Sequence, residues 1–289
     1  MKRLPISFYR AVSACLILLM VFACEKPILT EEDEQEDATG NLRVSVLQIE
    51  QTAFDSLTRT AVADVCTRLN IAVYDMDGKR VKQVNQESTQ SGFGTCLFQL
   101  EKGTYQLVVV AHSSHGNPTM TDMQSIKFTN ALGYSDTFMC CDTVTIGEGM
   151  ENRSVALHRI VALCRLEMTD SMPAEVKKMR FYYTGGSGAF DAHTGLGCVK
   201  SKQEVVCNIA EGRTCFDLYT IPLSTECTIH LLMSALDAKD KELYQRELDV
   251  PMAQNRITHL TGAFFTTADV TMPTIDVNTR WEGETHLSF

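Results

Sequence analysis

The sequence predicts an all-β protein built as two β-sandwich halves, and three observations carry that expectation. After Asn41 the apolar residues alternate with polar ones at period two, the spacing of a strand with one buried face. These runs are rich in β-branched residues and are separated at short intervals by turn markers such as Asp77-Gly78. No apolar stripe at helical spacing lasts four turns anywhere in the first half.

Each element follows from the same signals. Leu42, Val44 and Val46 alternate with Arg43 and Ser45 and give a first strand. Leu69, Ile71 and Val73 alternate with Asn70, Ala72 and Tyr74, and Asp77-Gly78 supplies the left-handed turn of a tight hairpin into Val81 and Val84. Strands are expected at 94–100, 103–112 and 137–146, with a short helix or an irregular crossing over 122–132. A long strand opens near Ser154 and reaches Met168, with Ile160, Ala162, Cys164 and Leu166 on its apolar face. A strand over 176–183 leads into Gly185-Gly186-Ser187-Gly188, read as a mobile loop that continues through Gly195 and Gly197. Strands at 204–210 and 213–220 follow, then a hairpin of 226–236 with 241–249, then 256–266, 270–277 and 284–288. That is about seven strands per half, as in a sandwich. The halves are 41–152 and 153–289.

The start of the chain is an address. Lys2, Arg3 and Arg10 precede an apolar run over residues 11–23, and small Ala23 stands directly before Cys24. The run is shorter than the roughly 20 residues that span a bilayer. Residues 1–23 therefore read as a lipoprotein signal peptide, with palmitate-type lipidation of Cys24 after cleavage; an ordinary secretory leader with a chance cysteine is the alternative. Residues 24–40 include the run Glu31-Glu32-Asp33-Glu34-Gln35-Glu36-Asp37 and make an acidic, solvated tether.

Charge and motifs exclude several functions. Once Lys2, Arg3 and Arg10 leave with residues 1–23, 36 acidic side chains face 23 basic ones. The longest basic cluster is the pair Lys177-Lys178, so nucleic acid is excluded as a partner. No Gly-x-Ser-x-Gly, His-Glu-x-x-His or Walker sequence occurs, and no cofactor is implied. For a metal the nearest candidates are Cys140-Cys141 and His112 with His115; neither reaches a full ligand set. Nine cysteines follow Cys24, an odd number, so at least one stays free if pairing is intramolecular. The best disulfide candidate is Cys207 with Cys215, flanking a hairpin turn at Glu211-Gly212. Phe181-Tyr182-Tyr183 is the one dense aromatic cluster, fit either for a sugar platform or for core packing. Abundant carboxylates leave a surface hydrolase open as a third reading.

Together, the leader, the tether, Val73-Tyr74-Asp75-Met76-Asp77-Gly78, the strand Leu157-His158-Arg159-Ile160-Val161-Ala162 and the closing Trp281-Glu282-Gly283 resemble the FimB-like fimbrial anchor family of the Bacteroidetes fimbrillin group. The resemblance implies two tandem transthyretin-like β-sandwiches, no enzymatic activity and a place in type V pili. It implies a lipoprotein exposed on the cell outer membrane, held there by lipid on Cys24 and joined to other fimbrillin subunits by exchange of β-strands. In that group stalk subunits lose their first strand to a trypsin-like protease. The matching position here is Arg59, just past the first strand; an intact chain would be the anchor and a cut one a stalk or tip subunit.

Overall fold

Eighteen strands fall into two eight-stranded sheets and one small two-stranded sheet in a computed structural model that describes residues 40–53, 56–129, 134–209, 213–266 and 283–288. The first sheet holds β1 (Leu42–Ala53), β2 (Ser56–Thr60), β3 (Arg68–Tyr74), β4 (Arg80–Glu87), β5 (Thr95–Phe98), β6 (Gly103–His112), β8 (Thr137–Ile146) and β9 (Glu151–Arg159). One turn of helix, α1 (Val62–Val65), follows β2. The second sheet holds β10 (Ala162–Met168), β11 (Lys178–Ser187), β13 (Lys200–Asn208), β14 (Cys215–Pro222), β15 (Glu226–Leu236), β16 (Glu242–Ala253), β17 (Arg256–Gly262) and β18 (Gly283–Ser288). The small sheet joins β7 (Ile126–Lys127) to β12 (Ala189–Phe190).

Each large sheet folds back on itself to make the two layers of a sandwich. In the first, β9 and β8 pair only at Arg159↔Phe138 and His158↔Met139, and at that corner the β1 layer turns into the β6 layer. Leu42, Val44, Ile49, Val155 and Leu157 from one layer meet Leu69, Ile71, Val73, Leu107, Val109 and Phe138 from the other in one buried core. In the second, Cys164, Leu166, Phe216 and Leu260 pack on Met179, Phe181, Tyr183, Leu231 and Met233. Burying apolar side chains at alternate positions is what selects these registers, since a one-residue slip would turn every one of them to water.

The two sandwiches share one plan. β1 pairs antiparallel with β5 and parallel with β9; β10 pairs antiparallel with β14 and parallel with β17. β3 lies between β4 and β6 as β11 lies between β13 and β15, and β6 takes β8 as β15 takes β16. β2 and β18 stand outside this seven-strand repeat.

A third core joins the halves. Ala72, Tyr74, Val108, Val110 and Met139, on the outer face of the β6 layer, pack with Met120, Ile126 and Phe128 and with Ile160, Val161, Leu163, Phe190 and Ile257. This explains the unbroken apolar run Leu107-Val108-Val109-Val110-Ala111: β6 is buried on both faces. At the junction Ile160 donates its N–H to Thr137 and Asn255 donates to the Val161 carbonyl. Arg159 is almost wholly buried and pairs with both carboxylate oxygens of Asp136, at 2.7 and 2.8 Å.

Several sequence expectations are corrected. The long strand from Ser154 to Met168 is two strands, β9 and β10, that part at Ile160-Val161 and enter different sheets. The glycine-rich stretch at 185–188 is no loop: Gly185, Gly186 and Ser187 belong to β11, where it leaves β15 after Thr184↔His230 and joins β14 at Gly186↔Pro222. A Cβ on Gly185 would lie 2.4 Å from the Thr228 carbonyl oxygen, so the crossing demands glycine there. The segments 204–210 and 213–220 do not pair with each other; β13 pairs with β11 and β14 with β10. Within 122–129 the chain makes an irregular crossing that contains β7. The strand expected at 270–277 lies outside the described residues.

Candidate assembly edge

The feature best placed to meet a partner is the edge of the second sandwich, at β17. Its outer side carries β18 in parallel, with an unbroken register from Arg256↔Gly283 to Thr261↔Ser288. Among the described residues β18 is the last strand of this sheet, and an edge strand offers backbone groups to a further strand. Of its described side chains only Leu287 packs on the second core, and it is half-buried.

The root of the chain that leads to β18 is fixed. Asp170 accepts the backbone N–H groups of Phe264, Phe265 and Thr266 at 2.9, 2.6 and 2.9 Å. Burial pushes the Asp170 carboxyl up, but these three amide hydrogen bonds outweigh it and hold it below the usual carboxylate range. From the other side Arg246 donates to the carbonyls of Phe264 and Thr266. Phe264 is buried, and Phe265 meets both Phe264 and Tyr244 edge to face.

At an edge of the first sheet, Arg59 stands in β2 with its backbone opposite Glu50 of β1. In sequence it stands just past the first strand, and its place in a hairpin is hidden because β1 runs on to Ala53, beyond the alternation at Leu42–Val46. Cys24, the leader, the acidic run, the Glu211-Gly212 turn and Trp281 lie outside the described residues.

The remaining candidates resolve into packing. Cys207 and Cys215, the pair expected to form a disulfide, are both free thiols. These two stand in β13 and β14, opposite Met179 and Glu167 respectively. Burial pushes the thiols of Cys66, Cys96 and Cys164 up to about 12, which keeps them protonated and unreactive. Phe181 and Tyr183 are buried in the second core, so they form no sugar platform, and the Tyr183 hydroxyl donates to the Tyr219 carbonyl. His112 is buried against Asn70 and Ser114, while His115 is exposed. Among the described residues no three His, Cys, Asp or Glu side chains gather to hold a metal.

A family model described as a family of unknown function, DUF6562, matches residues 34–288. The chain belongs to the DUF6562 family. No curated protein matches the sequence. Among solved structures, the DUF6562 chain resembles a candidate polysaccharide-binding protein of Bacteroides thetaiotaomicron at 13% identity, over 72% of this chain and 80% of that one, with a TM-score of 0.51. A looser likeness, at 14% identity and TM-score 0.43, is to the fimbrial anchor protein Mfa2 of Porphyromonas gingivalis, over 72% of this chain and 81% of that one. The first shows that this DUF6562 member shares a fold with a solved Bacteroides protein. Among the described residues no helix is long and apolar enough to cross a membrane.

Proposed function

We propose that the protein is a structural subunit of a fimbria on the cell surface, most simply its anchor, joined to partner fimbrillins by β-strand complementation. The single observation behind this reading is the edge at β17, which accepts a whole parallel strand, β18, from outside the seven-strand repeat. Main-chain hydrogen bonds of that kind accept a strand from any chain that offers alternating side chains of suitable shape. In this reading the chain is exported as a lipoprotein, cut before Cys24, and held in the outer membrane by acyl chains on that residue, with the acidic stretch 24–40 as tether. Two or more acyl chains suffice for stable attachment where one is marginal. The halves expected at 41–152 and 153–289 would be two sandwiches of one subunit, held together by the core they share at Ile160-Val161.

An anchor must keep its first strand, and the place of Arg59 favours that. A trypsin-like protease binds its substrate as an extended, unpaired backbone, so β2 would have to leave β1 before cleavage. The deciding measurement is the intact mass of the protein taken from its native membrane, together with co-purification of subunits from the same surface. The anchor reading expects a lipidated chain starting at Cys24 and a co-purified fimbrillin. A chain starting at Thr60 would make it a polymerising subunit, and a lipidated protein that captures no fimbrillin would remove the fimbrial role.

A further inference from the structure

The outer face of β3 and β4 carries a chain of side-chain hydrogen bonds that all run one way. It starts at buried His112, whose Nδ1 accepts the Ser114 N–H, so that Nε2 carries the proton and donates to Asn70 Oδ1 at 2.8 Å. Asn70, also buried, turns its amide hydrogens to Asn85 Oδ1 at 2.9 Å and to Asn117 Oδ1 at 3.0 Å. Those bonds engage the oxygen and both amide hydrogens of Asn70. The chain nevertheless continues toward solvent: Gln83 donates to Asn85 Oδ1 at 2.8 Å, Arg80 to Gln83 Oε1 at 2.6 Å, and Arg68 to Asn117 Oδ1 at 3.4 Å. Side chains in contact with water need no protein partner, and fixing each one costs rotamer entropy. Bonds of this kind hold a surface in one arrangement before anything binds.

The arrangement has a sign. The amide oxygens of Asn70, Gln83, Asn85 and Asn117 are all taken up inside the chain as acceptors. What is left for solvent is hydrogen, on the amides of Asn85, Asn117 and Gln83 and on the guanidinium of Arg80. The single carboxylate of β4, on Glu87, is held by Arg68 at 2.7 Å. Asp75, Asp77 and Asp122 line a separate hollow at the β3–β4 turn and close the row at that end. β4 itself is basic, with Arg80 and Lys82 against Glu87, in a chain of net charge −10.

We propose that this row of donors is a binding site for an acidic polysaccharide, one whose sugar units carry carboxylates. Such a polymer offers acceptor oxygens along its length, and Gln83 and Asn85 repeat the donor at about 6.8 Å along one face of the strand. Hydrogen bonds to a carboxylate are stronger than those to a neutral acceptor, so a uronate gains more from these donors than a neutral sugar does. A protein partner fits less well. Val81 is the one large apolar side chain that β4 exposes, whereas protein interfaces rest on a buried apolar or aromatic anchor. The site belongs to the first sandwich and does not depend on the fimbrial reading.

The test is calorimetric titration of the chain from Cys24 to Phe289 with alginate and polygalacturonate, and with methyl-esterified pectin and poly-glutamate beside them. Asn85→Asp and Asn117→Asp each keep the oxygen that accepts inside the chain and replace the outward amide with a second oxygen. Both should weaken binding of the two uronates about tenfold or more. Lys239→Gln, an equal change of net charge in the β15–β16 turn, should leave binding as it is. Denaturant curves identify a variant that fails to fold, and two are made so that the other decides. No binding of either uronate, or unweakened binding in the folded variants, overturns the site. Equal binding of methyl-esterified pectin overturns the acidic class, and tighter binding of poly-glutamate overturns the polysaccharide in favour of an acidic protein segment.

Discussion

At the scale of single residues, the buried polar groups are the ones whose loss should be felt. Arg159 is 5% exposed and lies over the Phe138 ring at 4.7 Å, with Asp136 as its bidentate partner and Asn255 as a further acceptor at 3.1 Å. Asp136→Ala strips the carboxylate from a buried cation, and the expected loss is about 3 kcal/mol in urea unfolding. His112 makes a second test. The Ser114 N–H donates to its Nδ1, so Nε2 carries the proton and donates to Asn70 Oδ1 at 2.8 Å. Asn70 in turn donates to Asn85 and Asn117. Burial, with a smaller push from the Arg68 charge, lowers the His112 pKa to about 4. A histidine depressed on folding gives stability that is complete above its unfolded pKa and is lost as pH falls toward the folded one. Stability should therefore decline from about pH 6.5 to about pH 4, by about 3 kcal/mol for this residue, and His112→Gln should flatten that stretch of the curve. His230 acts in the opposite sense. Hydrogen bonding to Asp249 raises its pKa against the opposing effect of desolvation, with Glu247 adding to the rise, so its contribution fades as pH rises above the usual histidine value.

At the scale of elements, the strand crossing at Gly185-Gly186 makes a sharp prediction. The two glycines pass between Thr228 on one side and Thr220 on the other, and Gly185 has φ +96°. Gly185→Ala would add a Cβ against backbone in a conformation that side chains rarely adopt, and should cost roughly 2–4 kcal/mol in denaturant unfolding. The same pair shows where sequence reading stopped. Alternation and β-branched runs found β3, β5, β6, β8 and β15 close to their true limits, and β6, buried on both faces, shows as an unbroken apolar run instead of a period of two. The first hairpin was also legible: Gly78 has φ +81°, and Asp75 accepts the N–H groups of Asp77 and Lys79 to close the turn. A glycine needed for close approach looks the same in sequence as one needed for flexibility, so the crossing read as a loop. Likewise, β9 and β10 read as one strand because Ile160 and Val161 are apolar for a different reason: they are buried in the third core instead of facing one sandwich. The β17 edge was legible as a terminal strand at 284–288, but its parallel partner was not. Parallel pairing depends on a crossover whose route no local pattern encodes.

At the scale of the whole molecule, the question is whether the sandwiches act as two bodies or one. Tandem domains on a flexible linker keep separate cores, and each should melt on its own. Here the linker is two residues, Ile160 and Val161, both fully buried. The outer face of the β6 layer is roofed by residues of the second half, and β7 pairs with β12 across the boundary. Further hydrogen bonds cross it: Phe128 N–H to Gly188, Ala192 N–H to Met123, and Gln203 to the Tyr134 hydroxyl at 3.0 Å. Cutting the chain at the junction would expose Tyr74, Val108, Val110 and Met139 together. Burial of side chains of that size is worth roughly 1.5–3 kcal/mol each, which a small sandwich cannot forgo and remain soluble. The isolated fragment 40–159 should therefore bind hydrophobic dye or aggregate, and the intact chain should melt in one calorimetric transition. Two separate transitions, together with a soluble fragment that binds no dye, would show the third core to be contact without coupling. If the single transition holds, Asp136→Ala should shift all of it to lower temperature, because loss of the Arg159 pair at the seam would then weaken both sandwiches together.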